Sequence, residues 1–217
     1  MNRRRIVCSR IDRRQFALLG AASAASLLGM GGAASAQRMS DKILGEPGPL
    51  PEIVFGPADA KVTVVEYASL TCHHCRDFHI KTWPQVKARY VDTGKVRFIF
   101  REFPLDQLAL AGFALARCAG EGNWYPTADL LYRNDDAWAH AQNPLDGLRA
   151  LMLKNGMSKE RFDSCLGDQA LQEKILTVSR NGSVAGVNST PTFFVNGKKY
   201  QGFMTIEQFA AIVDPLL

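Results

Sequence analysis

The sequence predicts an α/β fold, a mixed central sheet flanked by helices, with an all-helical subdomain inserted into it. Three observations predict this. Two β-branched or alternating apolar runs, 61–68 and 96–103, enclose a helix-like run. Residues 105–187 then read as successive helices with few strand signals. Finally, Asn196-Gly197 joins two short strand-like runs ahead of an amphipathic terminal helix.

Each element has a local cause. Val62, Thr63, Val64 and Val65 are β-branched and suit a buried strand. Phe78, Trp83, Val86 and Tyr90 recur near helical spacing, with Pro84 inside the run, where it predicts a kink, and Thr93-Gly94 at its end. Val96, Phe98 and Phe100 alternate with Arg97 and Arg101, the period of a second strand. Helices are expected over 107–119, 124–133, 144–155, 158–166 and 168–184, punctuated by Gly120, Gly122, Gly156 and Gly167. Asn-Gly between 192–195 and 198–201 is a strong short hairpin signal. Ile206, Phe209, Ile212 and Val213 define the apolar face of the last helix, with Thr205 as its N-cap.

The N-terminus reads as a targeting segment. Six arginines between Arg3 and Arg14 precede a stretch rich in Ala, Leu and Gly, and Ala34-Ser35-Ala36 is a small-x-small cleavage site. The run from Asp12 to Leu18 resembles a twin-arginine export signal; a general secretory signal or a retained N-terminal anchor are the alternatives. Residues 1–36 are therefore expected as a signal peptide cleaved after Ala36. Residues 37–60, with Gly45, Pro47, Gly48, Pro49 and Pro51, are expected as an extended leader. The core fold is expected over 61–104 and 188–217, and the helical insertion over 105–187.

The whole chain of 217 residues has 26 basic and 21 acidic side chains. Residues 1–36 hold six of the basic and one of the acidic groups, so the remainder balances at 20 of each. The basic excess belongs to the targeting segment and gives no reason to expect a nucleic acid partner. Cys8 leaves with the signal. Four cysteines remain for a compartment in which disulfides persist. They allow three connectivities, of which the spacing favours Cys72 with Cys75 and Cys118 with Cys165.

Chemistry concentrates at Cys72-His73-His74-Cys75, between the first strand and the helix that follows it. Thiolate is the reactive form of cysteine, and a helix N-terminus stabilises it. One helical turn brings both cysteines to the same side, as a reversible disulfide requires. Strand, C-x-H-C, helix, a long helical insertion and Thr190-Pro191 before a hairpin together resemble the DsbA-like branch of the thioredoxin fold, the periplasmic thiol:disulfide oxidoreductases of bacteria. The resemblance extends over nearly all of 55–217.

That resemblance implies a role for each residue of the motif. Cys72 is the exposed nucleophile and Cys75 the buried resolving partner. His73 and His74 tune the thiolate; His73 departs from the proline usual in the family. Glu66, on the strand beneath the motif, relays the proton of the buried cysteine. Pro191 is a cis-proline facing the cysteines, and Thr190 borders them and offers backbone to an extended substrate. Cys118 and Cys165 match the second disulfide of alphaproteobacterial-type members; two buried free cysteines are the other reading. The resemblance also implies a monomeric oxidase of reduced secretory proteins, without a cofactor, re-oxidised by a membrane partner of DsbB type. An exported reductase or isomerase is the alternative within the class. A separate dimerisation domain, as in the dimeric isomerases, does not fit between Ala36 and the first core strand.

Other readings of the same residues are weaker. C-x-x-C as half a zinc site needs a second ligand pair, and Cys118 and Cys165 are far apart in sequence. Haem attachment needs His at position 76, which is Arg. A copper chaperone using Cys72, Cys75, His73, His74 and His79 is the rival from a different class. His140 has no partner motif and reads as a surface or helix-end histidine.

Overall fold

The computed structural model describes residues 42, 44–46, 48–120 and 122–217. Backbone contacts divide the chain after Arg38, and residues from Met39 onward form one compact unit. The expected signal peptide, residues 1–36, lies outside the described residues. Among the described residues no helix is long and apolar enough to cross a membrane.

Among the described residues five strands form one mixed sheet: β1 (Ile53–Phe55), β2 (Val62–Ala68), β3 (Val96–Glu102), β4 (Thr192–Val195) and β5 (Lys198–Gln201), in the order β1-β3-β2-β4-β5. Only β2 and β3 are parallel, and a parallel pair needs a long crossover. Helix α1 supplies it over residues 73–91. It opens as His73–Asp77 and continues through a π-helical turn at Phe78–Thr82, then Trp83–Val86, then a second π-helical turn at Lys87–Val91. Pro84 has no N–H for the helical ladder, and where a kink was expected the turn just before it is a widened one.

The insertion contains α2 (Gln107–Cys118), α3 (Trp124–Arg133), α4 (Asp135–Trp138), α5 (Pro144–Lys154), α6 (Lys159–Gly167) and α7 (Gln169–Val184). Asp106, Ser158 and Asp168 cap α2, α6 and α7 by accepting the N–H groups of Ala109, Arg161 and Leu171. The single-turn helix α4 was not expected from the sequence, because four residues show no helical period. The chain ends in α8 (Ile206–Val213), opened by a capping box between Thr205 and Gln208.

The two faces of the sheet are covered differently. Val62, Val64, Phe98, Phe100, Phe193 and Val195 face the main core, where Phe78 and Trp83 of α1 meet Phe113, Trp124 and Leu131 of the insertion. On the other face, Val65, Tyr67, Ile99 and Phe194 pack against Val178 and Ala185. There α7 comes so close that a Cβ on Gly182 would lie 2.6 Å from the Tyr67 ring. The β4–β5 hairpin turns on Asn196 and Gly197 with φ of 44° and 83°, as a two-residue primed turn requires. The Asn196 side chain also accepts the Thr63 N–H at 2.8 Å, tying the turn to β2.

One expectation needs correction. The segment read as an extended leader, 37–60, contains an edge strand. Residues Ile53, Val54 and Phe55 pair antiparallel with Phe100, Ile99 and Phe98 of β3. Leu50, Ile53 and Phe55 pack on the core, and the Arg101 guanidinium donates to Glu52 and to the Leu44 carbonyl. Three residues among prolines and glycines are too few to show a strand period. The open edge of β3 is what orders them.

Candidate active site

Strand β2 and α1 place Cys72 where the chain leaves the sheet. Cys72 occupies the N-cap of α1 with extended backbone, φ −90° and ψ 115°. The His74 and Cys75 N–H groups of the first turn are therefore directed at its sulfur. Cys72 is half-buried, and Cys75, one turn on, is fully buried; both are free thiols. The Cys72 thiol is lowered to about 5. Donation from the Cys75 thiol is the leading cause; partial burial opposes it, and the Thr190 side chain and the two backbone N–H groups reinforce it. Cys75 is pushed well up, by burial first and then by its neighbour Cys72. The two sulfurs thus divide into one ready to ionise and one that holds its proton.

Thr190 and Pro191 complete the mouth of the site. Their peptide bond is cis. The Cys72 thiol donates to the Thr190 carbonyl at 3.3 Å across a sequence gap of 118 residues. The loop is fixed by the Thr192 hydroxyl donating to the Ser189 carbonyl and by the Gly202 N–H donating to the Pro191 carbonyl.

Glu66 lies on β2, level with Phe100 on β3 and Phe193 on β4, and is 2% exposed. Its Oε2 has no hydrogen-bond partner among the described residues. Burial pushes its carboxyl well above the usual range, and the Cys72 charge adds to the effect. His73 and His74 are exposed, with ring centroids 3.9 Å apart. The contribution of His74 to the thiolate is its backbone N–H.

The sequence did not point to the residues that buttress this site. The Ser69 carbonyl accepts the Cys72 N–H at 3.2 Å and the Tyr132 hydroxyl at 3.2 Å. The Thr71 hydroxyl donates to Asp106 at 2.7 Å, so the cap of α2 also holds the loop before Cys72. His79, buried on α1, packs against the Tyr132 ring, with centroids 4.5 Å apart, and sits 3.6 Å from Asp129; burial lowers its imidazole below the ordinary range. Tyr132 and Asp129 lie more than fifty residues beyond the motif, and no local pattern marks them. Cys118 and Cys165 form a disulfide between the end of α2 and α6.

The copper-binding constellation does not assemble. Among the described residues, the side chains whose ligand atoms gather within 4.8 Å are Asp135, Asp136 and His140, and Cys72, Cys75, His73, His74 and His79 form no such set. His79 turns to Asp129 instead.

A family profile described as Thioredoxin matches residues 50–215. The chain therefore belongs to the thioredoxin family, with a thioredoxin-like fold carrying a helical insertion, in the DsbA-like branch. A Rickettsia bellii protein, provisionally named a protein-disulfide oxidoreductase, is 30% identical over 168 residues. The match covers 75% of this chain and 63% of that protein's length, so the chain spans less than two thirds of this relative. The crystal structure of Wolbachia pipientis alpha-DsbA1 superposes with a TM-score of 0.70 at 29% identity, covering 82% of this chain and 95% of that one. BdbD from Bacillus subtilis, at 19% identity and a TM-score of 0.66, shares the fold over 76% of this chain and 92% of its own.

Proposed function

We propose that this protein is an exported thiol:disulfide oxidoreductase that donates the Cys72–Cys75 disulfide to reduced secretory proteins. The observation that carries the reading is the division of the pair: a Cys72 thiol lowered to about 5 beside a buried Cys75 pushed well up. Stabilising the thiolate favours the dithiol form, and a favoured dithiol form makes its disulfide a strong oxidant.

In the proposed reaction a substrate thiolate attacks Cys72 Sγ of the disulfide. The Cys72–Cys75 bond breaks, a mixed disulfide forms on Cys72, and Cys75 leaves as a thiolate. Glu66, neutral in its buried position, gives Cys75 a proton. A second substrate thiolate then attacks the substrate sulfur of the mixed disulfide. Cys72 leaves as a thiolate, and the substrate, now disulfide-bonded, has passed two electrons to the pair. The Thr190 backbone beside Cys72 is the proposed docking edge for an extended substrate. His73 and His74 flank the entrance.

The arginine-rich N-terminus and its small-x-small site support export by the twin-arginine route, cleavage after Ala36 and a periplasmic location. A membrane partner of DsbB type would accept the two electrons and restore the disulfide. The sulfur chemistry is self-contained and needs no cofactor, and we read the protein as a monomer. The test is catalysed oxidation of a reduced, unfolded protein by the disulfide form. Reduction of substrate disulfides in preference to that reaction would favour the reductase or isomerase reading.

Glu66→Gln separates chemistry from stability. It is expected to slow the proton-coupled release of Cys75 by about 10²-fold, the scale of general acid–base catalysis. Glu66 is raised in the folded state, so its contribution to stability is complete below the unfolded carboxyl range and is lost as pH rises through the raised value. The Gln variant should therefore be more stable than the parent at neutral pH and lack that slope. Stopped-flow reduction and denaturant unfolding across pH check both halves.

A further inference from the structure

Tyr132 belongs to the inserted helices, yet it reaches the redox pair. It is 4% exposed, and its hydroxyl donates to the Ser69 carbonyl at 3.2 Å. The same carbonyl takes the Cys72 N–H, closing the turn that presents the nucleophile. The Ser69 N–H is directed at the Cys75 sulfur. One residue thus holds backbone groups toward both cysteines, and the phenol of the insertion holds that residue. Side chains also tie the loop: the Ser69 hydroxyl accepts the Leu105 N–H and lies 3.3 Å from the Thr71 hydroxyl, which donates to Asp106.

We propose that Tyr132 is a positioning residue for disulfide exchange, fixing Ser69 so that the turn at Cys72 and the N–H facing Cys75 favour the dithiol state. This rests on the oxidoreductase reading above. Through this bond the helical insertion helps set the redox balance of the pair. The titratable groups around the phenol are Cys72, Cys75 and His79 on α1, Glu66 on β2 and Tyr125 on its own helix, with Asp129 behind His79. Burial, the leading cause, keeps the phenol protonated, and so a donor.

The experiment is Tyr132→Phe, which removes the hydroxyl and keeps the ring that packs against His79. Three quantities are measured on the whole protein: the equilibrium constant with glutathione, the pH titration of the Cys72 thiolate, and the unfolding stability of the dithiol and disulfide forms. Loss of one hydrogen bond that acts on the dithiol form is expected to move the equilibrium constant about 2- to 10-fold toward the disulfide. The thiolate titration should move up, and the dithiol form should lose more stability than the disulfide form. Equal destabilisation of both forms, with the equilibrium constant and titration unmoved, would overturn the proposal and leave Tyr132 a packing residue. A parent protein whose Cys72–Cys75 pair does not exchange with glutathione would instead overturn the oxidoreductase reading.

Discussion

Cys72→Ser is expected to drop the oxidation of a thiol-bearing protein to the uncatalysed rate, because a hydroxyl cannot carry the mixed disulfide. Cys75→Ser is expected to behave differently. Its Cys72 still attacks, but nothing resolves the product, so the variant should accumulate covalently linked to substrate or to glutathione. The asymmetry follows from the geometry: Cys72 is half-buried at the N-cap, whereas Cys75 is fully buried beneath it. Non-reducing electrophoresis and mass spectrometry check the trapped species, and activity assays check the rates. If Cys72→Ser kept its activity, or if Cys75→Ser and not Cys72→Ser lost the ability to form adducts, the assignment of nucleophile and resolving partner would be reversed or wrong.

Removing the second disulfide, Cys118→Ala with Cys165→Ala, should cost mainly stability. The bridge joins α2 to α6 across a separation of 47 residues. Loop closure of that length contributes about 2–4 kcal/mol, model-dependent. For a unit of this size that corresponds to a fall in Tm of about 5–15 °C. Cys118 lies at the far end of α2 from Asp106, whose carboxylate holds Thr71, a distance of about 18 Å along the helix axis. Exchange at Cys72 should therefore continue at the parent rate. Calorimetry of the disulfide-intact and double-Ala proteins tests the first half. A shifted glutathione equilibrium with unchanged stability would favour a regulatory role for the bridge over a structural one.

Much of the architecture was legible because local chemistry and global fold agree. Asn196-Gly197 marks a turn that needs positive φ at two residues, and the structure has both. Asp106, Ser158, Asp168 and Thr205 cap helices that begin where the apolar period begins. The C-x-x-C motif reads as the mouth of a helix because there a strand pattern gives way to a helical one. What escaped was set by partners distant in sequence. Strand β1 exists because β3 has a free edge, not because Ile53–Phe55 show a period. The widened turns of α1 depend on how a proline is accommodated, which its presence alone does not specify. The site divides in the same way. Glu66, Cys72, Cys75, Thr190 and Pro191 lie in or beside recognisable motifs. Ser69, His79, Asp129 and Tyr132 converge through packing of the insertion on α1, and nothing in their own neighbourhoods announces it.

The most direct test of the central claim is the reduction potential of the Cys72–Cys75 pair, measured by equilibration with glutathione at neutral pH. A Cys72 thiolate stabilised as the geometry indicates predicts a value at the oxidising end of the range, near about −120 mV. A value near about −270 mV, the reducing end, would contradict it, because the dithiol form would then lack the stabilisation on which disulfide donation depends.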